Sequence, residues 1–436
     1  MTRICMVGSW HQAIVYGATL AGLGHSVVGV CDSDDTAQRL NAGEPVVFEP
    51  GLRMLLRRQI RARRLRYTTS MSEGLERAAF AFISIDTPVG DDDAPNVRPV
   101  IEAATQIAAA RRGDLTLCVT AQVPVGTSHR LFEIVARGHS GSHRTALAYV
   151  PEFLRLGTAI ASIRRADRIV VGADEPQVAR RVAALYAKLR RPIFITDVLT
   201  AEMSKHAANA FLATSISFIN EVADLCERTG ADAHGVAQIM KADRRIGSHA
   251  FLSPGLGFAG GTLGRDLRAL QATGRELRVA TRLPDAALEI NAARARHVIE
   301  RLTSELDTFS GRQIAFLGLA YKPGTSTLRR AIALDIAQRI RAAGARVVAF
   351  DPLAEPVNPA LLERAISPYA AAHDADALML LTEWAGLARL DWRRIARAMR
   401  GRLVVDTRGL LDAAALKAAG LRLLTLGKGT HDGRAA

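Results

Sequence analysis

The sequence predicts an α/β protein with two doubly wound parallel-sheet domains joined by a long central helical region. Three observations carry this. The chain opens with a strand–helix–strand unit whose second strand ends in Asp32. The same grammar returns late and ends in Asp351. Between them lie two long stretches with helical spacing, 200–230 and 283–306.

In the first unit, "RICMVG" is a short apolar strand stopped by glycine. "HQAIVYGATLAGLG" has the spacing of a helix with a glycine stop, and "HSVVGVCD" is the second strand. In the late unit, "RQIAFLGLAYKPG" is a strand and loop, "RRAIALDIAQRIRAAG" a helix and "ARVVAFDP" a strand. Both units are Rossmann-like. The boundaries expected from these signals are 1–200, 201–305 and 306–436. The tail "GKGTHDGRAA" reads as disordered.

A length of 436 residues, 49% of them hydrophobic and 23% charged, suits a globular protein with large cores. No run of eighteen apolar residues is present, so no membrane span is expected. A strand pattern starting at residue 3 leaves no room for a signal peptide, and a cytoplasmic location is expected. Cys5, Cys31, Cys118 and Cys226 lie in apolar runs without metal-ligand spacing. They read as buried, reduced thiols, and no metal site is expected. The net charge of +14 favours an anionic partner. Scattered arginines and only 5% aromatics argue against nucleic acid and for a small anionic substrate. The chain has only six lysines, so each one is informative.

The motifs "EPGL" (49–52), "RLRYTTS" (64–70), "DTPVG" (86–90), "VPVGT" (123–127), "PEFLRLG" (151–157), "KHAANAFLATSISFINEVADLCE" (205–227), "RRIG" (244–247), "LGLAYKPGT" (317–325), "LLTEW" (380–384) and "VVDTRGLLD" (404–412) follow in order. Over nearly its whole length the chain resembles the UDP-glucose/GDP-mannose dehydrogenases. The resemblance implies oxidation of a sugar alcohol to an acid in two hydride transfers to NAD, with a cysteine holding the intermediate.

The resemblance also implies roles for particular residues. Lys205 and Asn209, four apart, share one helix face and can hold a developing oxyanion; the alternative is a solvated helix face. Asp266 matches the family's acid, and Glu152 the first glutamate of "PEFLREG". Arg245 corresponds to an arginine that reaches the substrate, in many members across a dimer, and a homodimer with a nucleotide sugar, UDP-hexose, as ligand is expected. Phe251, Leu252 and Gly257 belong to the loop "FLSPGLGF" that wraps the diphosphate and sugar. Lys322 and Arg408 match nucleotide contacts. Gly8, Asp32, Thr87, Arg265 and Arg329 match cofactor positions, with Arg265 replacing a lysine. Asp32 could accept bonds from ribose hydroxyls or simply end its strand.

Five further positions depart from the pattern. In "GSWHQA", Gly8 and Ala13 suit a dinucleotide fingerprint, but Trp10 fills the second glycine position. Ala37 replaces a basic residue, Gln122 a threonine and Leu156 the second glutamate. In "GFAGGTLGRD" (257–266), Thr262 stands where the cysteine should be. A threonine hydroxyl is a poor nucleophile unless a base takes its proton, so a structural role is expected for it. Trp10 is expected to cover part of the pocket and weaken NAD binding to a dissociation constant on the order of a millimolar. Two readings follow: an oxidoreductase of altered scope without the thioester step, or a nucleotide-sugar-binding protein without redox turnover.

Overall fold

Strand Arg3–Val7 (β1) alternates its side chains between two cores: Ile4 and Met6 join one apolar cluster, Cys5 and Val7 the other. A strand buried on both faces reads as a continuous apolar run, which is why "ICMV" shows no polar alternation. The structure, a computed structural model, describes residues 1–87, 96–138 and 143–429. The last residues of "DTPVG" (88–90) and of the tail (430–436) lie outside the described residues.

The chain divides into two compact units, Met1–Ala208 with Arg268–Val279, and Asn209–Leu267 with Ala280–Ala436. In the first, β1, Ser26–Val30 (β2), Leu65–Thr68 (β3), Phe80–Ile83 (β4), Leu115–Val119 (β5), Thr145–Tyr149 (β6), Ile169–Gly172 (β7) and Ile193–Thr196 (β8) form one sheet of order 3-2-1-4-5-6-7-8. Pairing is parallel except between β6 and β7. The chain reverses direction across the sheet at β1, where the helix His11–Gly22 begins just past the strand's carboxyl end. That switch point is where such sheets bind ligands.

The second unit repeats the plan. Gln313–Leu317 (β9), Arg346–Phe350 (β10), Glu363–Arg364 (β11), Ala377–Leu380 (β12), Leu403–Asp406 (β13) and Arg422–Thr425 (β14) form a parallel sheet of order 11-10-9-12-13-14. Ile314 and Phe316 face one core, Ala315 and Leu317 the other. The two doubly wound sheets predicted from sequence are thus present. So is the central helical region, led by the 32-residue helix Val198–Thr229 and followed by Ala233–Ala242 and Arg282–Leu306. No helix among the described residues is long and apolar enough to cross a membrane.

The start of the long helix is fixed by its own polar side chains. The fully buried Glu202 accepts the backbone N–H groups of Gly126 (2.6 Å) and Ser128 (3.0 Å), capping the helix Thr127–Arg137. His206 meets the Val123 carbonyl at 2.7 Å. Lys205 is held between these two anchors. Farther along, Phe211, Phe218 and Leu225 recur every seven residues and are exposed.

Candidate active site

In the first unit the fingerprint turn is built on Gly8. Its φ is +132°, and a Cβ there would lie 2.5 Å from the Ser84 carbonyl oxygen, so only glycine fits. Ser9 donates to the Asp32 carboxylate at 2.7 Å, and Asp32 is otherwise exposed at the end of β2. The helix His11–Gly22 has no side-chain cap and no acid in its first turn. Its positive end is left for an anion, as a pyrophosphate site requires. Thr87 donates to the Gln122 carbonyl at 2.8 Å, both residues being buried. These features fit a dinucleotide.

Trp10 is 50% exposed and precedes the helix in an extended conformation (φ −96°, ψ 177°). A side chain still stands at the glycine position. Trp10→Gly is therefore expected to tighten NAD about tenfold, or about 1.4 kcal/mol, without affecting a nucleotide sugar. Calorimetry with each ligand checks both halves.

A link that the sequence reading missed ties this turn to the "PEFLRLG" loop. The buried Glu49 carboxylate accepts from His11 (2.8 Å) and from the backbone N–H groups of Gly157 and Ala159 (2.8 Å each). Burial alone would raise its pKa, but these bonds outweigh burial and hold the carboxyl below its ordinary value. The only sequence signal was an acid inside "EPGL", between apolar runs.

That loop carries Glu152. Lys205, 3% exposed, donates to the Glu152 carbonyl and lies 3.5 Å from its carboxylate. Its ammonium also lies 5.0 Å from the Phe153 ring centroid. The solvated-face alternative for Lys205 is thereby excluded. Leu156, on the same loop, offers no carboxylate to position a water.

In the second unit, Asn209, also buried, donates to the fully buried Asp266 carboxylate. Asp266 belongs to the helix Leu263–Leu277, and Thr262 precedes that helix, its carbonyl accepting the Asp266 N–H at 3.1 Å. Thr262 is exposed, and its hydroxyl makes no hydrogen bond among the described residues. Among the described residues no base is hydrogen-bonded to it. The cysteines do not substitute: all four are buried, and burial pushes the thiols of Cys5 and Cys31 up to about 12. Arg265 is buried beside Asp266, and the Arg329 guanidinium lies against Gly261, within 3.0 Å of where a Cβ would sit.

The loop 251–258 is clamped by residues that sequence reasoning did not single out. Asn220 accepts the Gly255 N–H at 2.8 Å, Asn291 brackets Phe258 through both backbone groups, and the buried Arg294 donates to the Gly255 carbonyl while pairing with Asp224 at 2.6 Å. At Gly257, φ is +87° and a Cβ would meet the Asn291 amide oxygen at 2.3 Å. Leu252 packs on Ile219 and Ala237, while Phe251 stays partly exposed. Lys322 is half-buried next to Tyr321. Arg408 is fixed by the Leu381 carbonyl (2.8 Å) and Glu383 (3.3 Å). Within its own chain, Arg245 is exposed and pairs with Asp243 at 2.5 Å.

A glycine-turned fingerprint at a Rossmann switch point fits the nucleotide domain of a dinucleotide-linked oxidoreductase. Residues 2–190 match the NAD binding domain of the UDP-glucose/GDP-mannose dehydrogenase family, 199–293 its central domain and 315–413 its UDP binding domain. The chain belongs to that family. It is 37% identical to a UDP-glucose 6-dehydrogenase of Pseudomonas aeruginosa, over 98% of this chain and 97% of that protein. It is 33% identical to the UDP-glucose 6-dehydrogenase TuaD of Bacillus subtilis, over 98% and 94%. Among solved structures, a UDP-glucose dehydrogenase from Pyrobaculum islandicum superposes with a TM-score of 0.89 at 31% identity, covering 95% of this chain and 96% of that one.

Proposed function

We propose that the protein oxidises the sugar alcohol of a nucleotide sugar, a UDP-hexose, by a single hydride transfer to NAD and releases the aldehyde. One observation carries this reading. Among the groups that serve alcohol oxidation, Lys205 is buried and bonded to the partly buried Glu152, and the buried Asn209 is bonded to the buried Asp266, whereas Thr262 is exposed and its hydroxyl makes no hydrogen bond among the described residues. The family membership and the activities named for the relatives support the substrate class, with modules near 1–200, 201–305 and 306–436.

NAD, held at Gly8, Asp32, Thr87, Arg265 and Arg329, would supply the hydride acceptor. The Lys205 ammonium and the Asn209 amide, one helical turn apart, hold the alcohol oxygen as charge develops on it. Asp266, oriented by Asn209, receives the hydroxyl proton directly or through water. The carbinol loses two electrons and two protons, one as hydride and one to solvent, so no acyl group has to be carried. Phe251, Leu252, Gly257, Lys322 and Arg408 hold the nucleotide sugar. The rival reading, a nucleotide-sugar binder without turnover, draws its support from Trp10 at the second glycine position of the fingerprint.

Calorimetric titration of wild type tests the binding half. Both NAD and UDP-glucose are expected to bind, the sugar nucleotide more tightly; no heat with NAD at millimolar concentration would return the protein to the binding-only reading.

The same reading makes the protein a homodimer. The heptad-spaced stripe Phe211, Phe218 and Leu225 supports a helix–helix interface. Arg245, exposed in its own chain, would then complete the partner's site. Light scattering at micromolar concentration is expected to give twice the chain mass, and a monomer would contradict it.

A further inference from the structure

The chain's arginines are not evenly spread. Between Glu49 and Glu73 it carries seven arginines and no acidic residue. The helix Leu52–Arg61 turns Leu52, Leu55, Leu56 and Gln59 into the core. At about 100° per residue, Arg53, Arg57, Arg61, Met54 and Arg58 then fall, in that angular order, within about 140° of the outer face. Apart from the 3.6 Å pair of Arg57 with Glu44, none of these arginines has an ion pair among the described residues, nor do Arg63 and Arg64 just after the helix. The face borders an open concavity of about 780 Å³ lined by Gly51, Arg53, Met54, Arg57, Arg58 and Arg61, with Ala62. Nothing in the proposed oxidation uses this surface.

Two details choose the partner. Met54, 74% exposed, sits among the guanidinium groups, and Phe48 is exposed just before the helix. An apolar side chain ringed by cations matches a surface that is anionic at the headgroup level and apolar beneath it. A nucleic-acid site would need aromatic platforms for base stacking, and no aromatic residue lines the concavity. The core packing of Leu52, Leu55 and Leu56 fixes the helix, so the basic face is presented without an ordering step.

We propose that the outer face of Leu52–Arg61 is a docking surface for anionic phospholipid headgroups, by which the protein binds a membrane surface reversibly. Each arginine close to such a surface contributes about a fivefold factor in partition. Removing three is therefore expected to lower partition about a hundredfold, and reversing their charge lowers it further.

The test is co-sedimentation of the full-length protein with vesicles of phosphatidylglycerol and phosphatidylcholine in equal parts, and with phosphatidylcholine alone. Wild type is expected to sediment only with the anionic vesicles and to be released by salt. The triple variant Arg53→Glu, Arg58→Glu, Arg61→Glu is expected to lose binding. A variant with the same charge change elsewhere, Arg389→Glu, Arg393→Glu, Arg397→Glu, is expected to keep it. Met54→Ser should weaken partition severalfold. No sedimentation of wild type with anionic vesicles overturns the proposal, whatever the variants do. Equal loss in both triple variants also overturns it, because the effect would then be one of net charge. So does binding to single-stranded polyuridine in the absence of vesicle binding.

Discussion

Lys205→Met is expected to lower the turnover of UDP-sugar oxidation about a thousandfold, or about 4 kcal/mol of transition-state stabilisation. The ammonium is almost wholly buried, so its charge acts through little screening solvent. Its bonds to the Glu152 carbonyl and carboxylate fix its position before substrate arrives. Methionine keeps the length and apolar stem of the side chain but removes the charge. KM for the nucleotide sugar is expected to change little, because the loop 251–258, Lys322 and Arg408 hold the diphosphate and base. Steady-state kinetics separates the two effects. A variant that keeps turnover within tenfold would remove Lys205 from the chemistry.

Glu49→Ala is expected to destabilise the protein by about 3–5 kcal/mol. Three donors, His11 and the N–H groups of Gly157 and Ala159, would lose their buried acceptor, at about 1–3 kcal/mol each with partial relief by water. The sign of the pH effect follows from the lowered pKa of Glu49. A carboxyl whose folded pKa lies below its ordinary value of 4.5 contributes stability that is complete above that value and is lost as pH falls through the folded pKa. Wild type is therefore expected to lose stability between about pH 5 and 3 faster than the variant does. Urea unfolding at several pH values gives both numbers. Equal acid slopes for the two proteins would show that Glu49 is not held ionised by the fold.

Much of this architecture was legible because parallel strands and their connecting helices write their burial directly into apolar runs and glycine stops. Asp351 shows the same logic one level up. A strand-end acid in the sequence becomes an acceptor for Leu319, Ala320, Leu353 and Ala354, holding the turn before Lys322. Lys205 and Asn209 were legible from the family resemblance of "KHAANAF", their four-residue spacing adding only that they share a helix face. Glu49, Asn291 and Arg294 were not, because each acts on backbone groups more than thirty residues away, a separation no periodicity encodes. The arginine face was missed because residue counts hide angular order around a helix.

Thr262→Cys alone is not expected to restore acid formation, since Gln122 and Leu156 also depart from the family's pattern. Stoichiometry distinguishes oxidation that stops after one hydride transfer from oxidation that runs on to the acid. Purified wild type is incubated with limiting UDP-glucose, excess NAD and hydroxylamine to trap carbonyl product, and NADH is counted against sugar consumed. One NADH per sugar and a trapped aldehyde oxime are expected. Two NADH per sugar with UDP-glucuronate as product, formed at about 1 s⁻¹ or faster, would contradict a single transfer.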